Sequence, residues 1–287
     1  MKRNMAKFLF LAPSFLGVVI FVLLPFGDVV KRSFMTAVTK EGAGMRNYQT
    51  IFTNSAFLLA VKNTFRFTLV CIPLLVAMGL AIALAMGSIR HMQAVKSLYL
   101  FPLAMPTATV AVVWKMLFYE KGFFNKYLEQ ICLLFHMGEG METLDYISSG
   151  AAFYVLAGTY LWKNLGYTIV LWIAGMAAIP DSIIEAARVD GATQGQCVRY
   201  MVLPQLKPVF YTITMLSFLN SFKVFREAYL VAGAYPQKSI YLLQHLFNNW
   251  FTNLEIEKMS SAAVLLAVFF ALCSLSLKNL WEKEDAY

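Results

Sequence analysis

Residues 185–204 read EAARVDGATQGQCVRYMVLP, a polar stretch between two long apolar segments. Gly191 lies in its first half, and a helix C-terminus prefers a glycine in the left-handed conformation. Pro204 ends the stretch, and proline prevents a helix from continuing unbroken. The pattern predicts a short helix, a turn and a second short helix over residues 181–204.

Two capping boxes are predicted at the starts of these helices. In a capping box, a Ser or Thr side chain and a Glu or Gln side chain three residues later each bond the other's backbone N–H. Ser182 and Glu185 have this spacing, and so do Thr193 and Gln196. A polar hairpin capped in this way exposes a surface to which another protein can bind.

The composition around this hairpin is that of a membrane protein. The chain has 287 residues, of which 59% are hydrophobic and only 14% are charged, and its mean hydropathy is +0.62. These charges are too few to cover a soluble globule of this size. The sequence therefore predicts an all-α integral membrane protein.

Apolar runs long enough to cross a bilayer occur about six times, since a membrane-spanning helix needs roughly 20 apolar residues. We predict spans near Phe8–Val30, Thr64–Met86, Leu98–Phe118, Ala151–Ala178, Val209–Val224 and Ser261–Leu277. The first run is longer than the apolar core of a secretory signal, so we expect it to remain in the mature protein. We treat residues 1–287 as a single domain that contains the hairpin.

An even number of spans places both termini on one side of the membrane. The basic start Met1-Lys2-Arg3 predicts that this side is cytoplasmic, by the positive-inside rule. Lys and Arg in the remaining segments divide about equally between the two sides and decide nothing. The expected location is the cell (cytoplasmic or inner) membrane, with both termini in the cytoplasm.

Other classes of function find little support in the residues. The net charge of +8 is not gathered into a basic face with interleaved aromatic side chains, so we expect no nucleic-acid partner. The four cysteines have no metal-binding or redox spacing. No His, Cys or carboxylate cluster has catalytic spacing. We therefore expect neither a catalytic residue nor a metal site.

The hairpin also carries a resemblance to a known family. Glu185-Ala186-Ala187, Gly191 and Met201-Val202-Leu203-Pro204 are similar in identity and spacing to the EAA motif of the membrane subunits of binding-protein-dependent ABC importers, in which Ile is usual at the position of Met201. Further matches, similar to the maltose-type carbohydrate permeases, are Ala12-Pro13, Ser33-Phe34, Asn47-Tyr48, Lys62-Asn63-Thr64, Phe101-Pro102, Val113-Trp114, Trp162, Gly166, Ala174-Gly175 and Ile179-Pro180.

The resemblance implies a type I ABC importer permease fold with six membrane-spanning helices. It implies four kinds of partner: a second, homologous permease in a heterodimer, two ATPase subunits, an extracytoplasmic solute-binding protein and membrane lipid. The hairpin would be the coupling loop that docks in the ATPase, through Glu185, Ala186, Ala187, Asp190, Gly191, Leu203 and Pro204. No phosphate-binding G-x-x-x-x-G-K-[ST] motif occurs in the chain. ATP and Mg²⁺ would therefore bind the ATPase, and this chain would carry no cofactor and no enzymatic activity.

Polar residues inside the predicted spans are candidates for a substrate path. Lys163 lies roughly 18 Å along the fourth span and is followed by Asn164. Such residues usually face a bundle interior or a water-filled path. Lys163 could form part of the path, or it could pair with a neighbouring helix.

The fifth predicted span carries a second polar group. Ser217, Asn220 and Ser221 share a helical face by three-and-four spacing. A polar face beside aromatic rings suits a carbohydrate path, and it equally suits ordinary hydrogen bonds between helices. Related chains often have an acidic residue directly after the Val-Phe pair, where this chain has Arg226. That departure leaves the solute open.

The predicted function is thus carbohydrate import through a permease subunit. A polyol or a glycerol-phosphate-type solute is the alternative within the same class. A secondary carrier driven by an ion gradient is an alternative from another class; such carriers tend to show inverted repeats, and none is evident here. The segment Glu120–Gly150 is too polar to span the membrane, and we expect it to face outside, where the solute-binding protein could dock.

Overall fold

Helices make up nearly all of the regular structure. The computed structural model describes residues 2–36, 41–86, 100–135 and 144–284, with side chains from residue 10 to residue 276. Met1, the start of the third predicted span at Leu98 and part of the polar segment Glu120–Gly150 lie outside the described residues, and the side chains of Lys2 and Arg3 lie outside the described side chains. Among the described residues, the single isolated β-bridge joins Met35 and Gly42.

The chain contacts form two compact units, residues 1–58 with 246–287, and residues 59–245. The prediction of a single domain over residues 1–287 stays a prediction.

The longer helices are α1 (Lys2–Val18), α2 (Leu24–Ser33), α3 (Arg46–Thr53), α4 (Ser55–Met86), α5 (Thr107–Phe118), α6 (Phe123–Leu134), α7 (Ala152–Ala177), α8 (Asp181–Val189), α9 (Lys207–Ser221), α10 (Phe225–Ala232), α11 (Leu243–Thr252) and α12 (Ile256–Glu284).

The first unit is held together around Ser33, which is fully buried. The Ser33 hydroxyl lies 2.8 Å from the Tyr48 hydroxyl of α3. The Ser33 carbonyl accepts hydrogen bonds from Asn47 Nδ2 at 2.9 Å and from Ser261 Oγ of α12 at 3.1 Å. The Asn47-Tyr48 pair quoted from the sequence is therefore a structural tie between helices.

Three described helices are long and apolar enough to cross a membrane: Phe10–Ser33, Ser55–Met86 and Ile256–Ser276. Helix α7 passes the same test together with α8, from which it is bent by 68°. These four agree in position with four of the predicted spans.

The other two predicted spans are interrupted helices. The described part of the third is helical at residues 100–104 and again in α5, with a break at Met105 and Pro106, where proline lacks the N–H that a continuous helix needs. The fifth continues from α9 through a 3-10 turn, Phe222–Val224, into α10. Composition alone does not locate such breaks.

The second unit is built on two buried clusters. The one next to the hairpin, called here the loop-side cluster, consists of Ile72, Val76, Ala83, Met86, Ile169, Trp172, Ile179, Val202, Leu206 and Ile213. It joins α4, α7 and α9 to residues of the hairpin itself. The other cluster lies around Phe67, Tyr160 and Leu242. The Asn63 amide of α4 donates hydrogen bonds to the carbonyls of Lys238 at 2.6 Å and Tyr241 at 3.0 Å. These bonds join α4 to the segment before α11.

Candidate functional site

The hairpin predicted over residues 181–204 is present, and its first arm is α8. The N-cap of α8 is Pro180, in the extended conformation and without a side-chain cap. The capping box predicted at Ser182 is therefore wrong. Pro180 already holds the backbone torsions of an N-cap, so the helix begins before Ser182, which then lies inside the first turn.

The turn after α8 is a complete Schellman motif. The Gly191 N–H bonds the Arg188 carbonyl at 3.0 Å, and the Ala192 N–H bonds the Ala187 carbonyl at 2.9 Å. Gly191 has φ +88°, a left-handed conformation that costs side-chain-bearing residues about 1–2 kcal/mol. The prediction for Gly191 is confirmed, and its physical reason is this torsion.

The second arm begins at the capping box predicted from Thr193 and Gln196, which is confirmed. The Gln196 side chain accepts the Thr193 N–H at 2.8 Å, and the Thr193 hydroxyl accepts the Gln196 N–H at 3.4 Å. The arm then widens into a π-helical segment, Cys197–Val202, and ends as Leu203–Gln205. The helix does not end at Pro204 as predicted: the turn Leu203–Gln205 contains Pro204, and the helical backbone is interrupted at Leu206.

The hairpin has one exposed side and one buried side. Six of the seven predicted coupling residues are exposed: Glu185, Ala186, Asp190, Gly191, Leu203 and Pro204. The seventh, Ala187, is only 8% exposed. Cys197 and Val202 are buried as well, and Val202 belongs to the loop-side cluster. The hairpin therefore presents a carboxylate and backbone to a possible partner while its other side is fixed in the helix bundle.

Lys163, the deepest predicted path residue, forms an ion pair with Glu227 of α10. The Lys163 Nζ lies 2.6 Å from the Glu227 Oε1, and the two side chains are 14% and 8% exposed. Glu227 was missed in the sequence because its partner is 64 residues away. The sequence did contain a signal for Glu227. Related chains often have an acidic residue directly after the Val-Phe pair, and in this chain the acidic residue follows Val224-Phe225 one position later.

Asn164 and Ser217 lie at the contact between α7 and α9. The Asn164 amide donates to the Tyr160 carbonyl at 2.8 Å, and the Tyr160 hydroxyl donates to the Ser217 carbonyl at 2.6 Å. The Ser217 hydroxyl lies 2.8 Å from that of Tyr167. These contacts are bonds within and between helices, and a role in the substrate path stays a prediction for both residues.

Ser221 is buried like Ser217, whereas Asn220 is not. The buried Ser221 hydroxyl bonds the Phe218 carbonyl of its own helix at 2.7 Å. Asn220 is partly exposed and accepts a hydrogen bond from Lys223 Nζ at 2.8 Å. The predicted polar stripe is thus divided between a buried and a partly exposed side, and a path role for either residue stays a prediction.

A cleft that the sequence did not predict lies beside the Lys163–Glu227 pair. Its volume is about 30 Å³, and it is lined by Trp114, Thr159, Glu227, apolar residues of α7 and α10, and Ile147 and Ile240. The Trp114 ring contacts the Trp162 ring edge-to-face at 6.3 Å, and its buried Nε1–H has no hydrogen-bond partner among the described residues. The cleft is too small to hold a sugar in this conformation, and most of its wall is apolar. Trp114, Thr159 and Glu227 become candidates for the path by their position alone.

The expectation of no metal site and no catalytic residue stays an expectation. In the part of the chain that the structure describes, no three His, Cys, Asp or Glu side chains are grouped as a metal would require. The arrangement of the described residues offers surfaces and a cleft for binding.

Comparison with known proteins places this geometry in a family. The model of the family described as "Binding-protein-dependent transport system inner membrane component" matches residues 75–281. The trehalose/maltose transport system permease protein MalF of Thermococcus litoralis is 26% identical, over 92% of this chain and 89% of the relative. The sn-glycerol-3-phosphate transport system permease protein UgpA of Agrobacterium fabrum is 26% identical, over 93% and 91%.

The fold has a counterpart among solved structures. A chain from the crystal structure of a bacterial ABC transporter involved in the import of the acidic polysaccharide alginate superposes with a TM-score of 0.80 at 19% identity, covering 97% of this chain and 96% of that one. The predicted fold class, an all-α membrane protein with the type I ABC importer permease fold, is thereby confirmed.

Proposed function

We propose a carbohydrate import function for this chain, which belongs to the family of binding-protein-dependent transport system inner membrane components. In this proposal the chain and a second, homologous permease form the transmembrane path. Two separate ATPase subunits bind ATP and Mg²⁺, and an extracytoplasmic solute-binding protein delivers the solute. The membrane is the cell membrane, with both termini of the chain in the cytoplasm.

The geometry of the hairpin carries this proposal. Its exposed side offers the Glu185 carboxylate to a basic residue of the ATPase, a charge-assisted contact stronger than a neutral hydrogen bond. Its buried side is continuous with the loop-side cluster, through Val202 and Leu206. Closure of the ATPase dimer on ATP would therefore move the hairpin and the helices together, and hydrolysis would reverse the movement. This is alternating access.

The Lys163–Glu227 pair favours a neutral solute over an anionic one. An anionic solute such as a glycerol phosphate is best held by a cation with no other partner. The charge of Lys163 is already compensated by Glu227 at 2.6 Å. The cleft beside the pair is lined by the Trp114 ring and apolar side chains, which suit the C–H surfaces of a sugar.

Uptake by the complete complex tests this function. The chain would be co-expressed with the neighbouring genes for the second permease, the ATPase and the binding protein, and reconstituted in vesicles. We expect uptake of a labelled sugar that needs internal ATP and external binding protein. Competition by unlabelled sugars should exceed competition by glycerol-3-phosphate at equal concentration.

Two outcomes would contradict the proposal in different ways. Uptake that follows an imposed ion gradient without ATP would favour a secondary carrier. ATP-driven uptake inhibited by glycerol-3-phosphate and not by sugars would keep the importer and replace the solute class.

A further inference from the structure

Gly175 in the last turn of α7 is in unusually close contact with the segment that follows the hairpin. A Cβ built on Gly175 would lie 2.5 Å from the Val209 Cγ2, 3.2 Å from the Val209 Cβ and 3.1 Å from the Leu206 Cδ2. Carbon atoms are in optimal contact at about 3.5–4.0 Å. No side chain fits at this position unless the two segments separate.

The contact lies where both arms of the hairpin join the bundle. The Gly175 carbonyl accepts the Ala178 N–H at 3.2 Å, and α8, the first arm, begins three residues after that bond. Leu206, only 1% exposed, directly follows the second arm, and its N–H donates to the Val202 carbonyl at 3.1 Å. Gly175, at the base of the first arm, therefore contacts Leu206 and Val209 at the base of the second arm. These two positions are called here the roots of the arms.

We propose that Gly175 is a positioning residue that makes the two arms move as one body, so that movement of the hairpin reaches the fourth and fifth predicted spans together. This inference rests on the proposed function of the hairpin. Val209 cannot simply turn aside, because valine in a helix has one strongly preferred rotamer. An alanine at Gly175 would therefore separate the roots by about 1 Å, a displacement that can cost about 100-fold in a positioned reaction.

The chain contains a matched control for the steric change. A Cβ on Gly79 of α4 would lie 2.4 Å from the Thr168 Cγ2 and 3.1 Å from the Thr168 Cβ. The Thr168 hydroxyl bonds the Asn164 carbonyl at 3.0 Å, which fixes that side chain. This contact is as close as that of Gly175 and lies beside the same loop-side cluster, but its partners Thr168 and Trp172 belong to α7 and to neither arm of the hairpin. Outside its own helix backbone, Gly158 of α7 has no atom of the described residues within 4 Å of its Cβ position, so Gly158→Ala controls for the substitution itself.

The test compares the three alanine variants in the complete complex in vesicles. For each variant, solute uptake and solute-stimulated ATP hydrolysis are measured together, along with the melting temperature of the purified complex. We expect Gly175→Ala to lower the uptake per ATP hydrolysed at least about tenfold. Gly79→Ala should lower the melting temperature to a similar extent and keep the parental ratio. Gly158→Ala should leave both unchanged.

A second variant covers the case in which Gly175→Ala does not assemble. Val209→Ala removes the methyl group at 2.5 Å, so Gly175→Ala/Val209→Ala should assemble and regain most of the parental ratio. The role of Gly175 is overturned if Gly175→Ala keeps the parental ratio, if Gly79→Ala loses the ratio equally, or if the double variant assembles without regaining it. A parent complex without ATP-driven uptake would contradict the proposed function itself, and with it this role.

Discussion

Lys163 had two interpretations from the sequence. It could line the substrate path, or it could pair with a group on a neighbouring helix. The structure pairs it with Glu227 at 2.6 Å, with both side chains largely buried. Burying a charged side chain in an apolar helix bundle costs a moderate free energy when its partner of opposite charge is present, and a much larger one when that partner is removed.

We therefore expect Lys163→Met to be strongly destabilising, by about 3–5 kcal/mol, because it leaves the Glu227 carboxylate buried and unpaired. The double variant Lys163→Met/Glu227→Leu should recover most of this loss, since no charge is left behind. Thermal unfolding of the detergent-solubilised complex measures both. Lys223→Met, which removes an exposed lysine from the 3-10 turn that precedes α10, is the control. If the single and double variants were equally unstable, the pair would have no structural role.

His245 predicts a pH dependence. Its ring is buried between Phe225 at 4.7 Å and Tyr241 at 5.8 Å, and burial lowers the pKa of the imidazole to about 4. The folded state thus favours the neutral form, so this contribution to stability is complete above pH 6.5 and is lost as the pH falls toward 4. At pH 5 the loss is about 2 kcal/mol.

The measurement for His245 is the melting temperature between pH 7.5 and pH 5, with His245→Gln as the comparison, because a glutamine oxygen can replace the Nδ1 that accepts the Leu242 N–H. The parent should lose more stability than His245→Gln as the pH falls. Parallel curves would show that His245 titrates normally.

Among the elements, the hairpin is the part that sequence predicts best, because its determinants are local. Gly191 and the Thr193–Gln196 box follow from residues at most three apart, and both are confirmed. The Ser182 box failed because Pro180 offered an earlier start. Contacts across many residues left no comparable signal: Lys163 with Glu227, or Gly175 with Val209, depend on how the helices pack.

The turn of the hairpin gives a prediction with a matched pair of glycines. Beyond their neighbours in the chain, neither Gly191 nor Gly195 has an atom of the described residues within 4 Å of its Cβ position, but of the two only Gly191 has a positive φ, at +88°. Gly191→Ala should therefore strain the turn by about 1–2 kcal/mol, speed hydrogen exchange across residues 185–204 and reduce uptake. Gly195→Ala should have none of these effects, because its backbone accepts alanine. Equal behaviour of the two variants would show that the torsion is irrelevant.

At the scale of the whole molecule, composition predicted the membrane class, and apolar runs predicted the positions of the spans. The predicted orientation rests on the basic start of the chain and on the cytoplasmic ATPase expected to bind the hairpin. Cys197 is unsuitable as a reporter of orientation because it is 3% exposed. Val189, at the end of the first arm, is 87% exposed.

We expect Val189→Cys to react with a membrane-impermeant thiol reagent only from the cytoplasmic side. The unmodified chain, labelled in parallel, gives the background from its own cysteines. Labelling of intact cells and of inverted vesicles distinguishes the two sides. Reaction in intact cells would reverse the orientation and remove the ATPase from the reach of the hairpin.

The central claim is that the exposed carboxylate of the hairpin transmits ATP hydrolysis to solute movement. It is tested by ATP-driven uptake in vesicles that contain equal amounts of assembled complex with Glu185→Ala or with Asp181→Ala, an exposed carboxylate on the same arm. Truncating a central interface contact costs about 2 kcal/mol or more, which corresponds to about 30-fold weaker docking. The account predicts that Glu185→Ala loses uptake and releases the ATPase more readily, while Asp181→Ala retains both. Normal uptake by Glu185→Ala, or an equal loss in both variants, would contradict it.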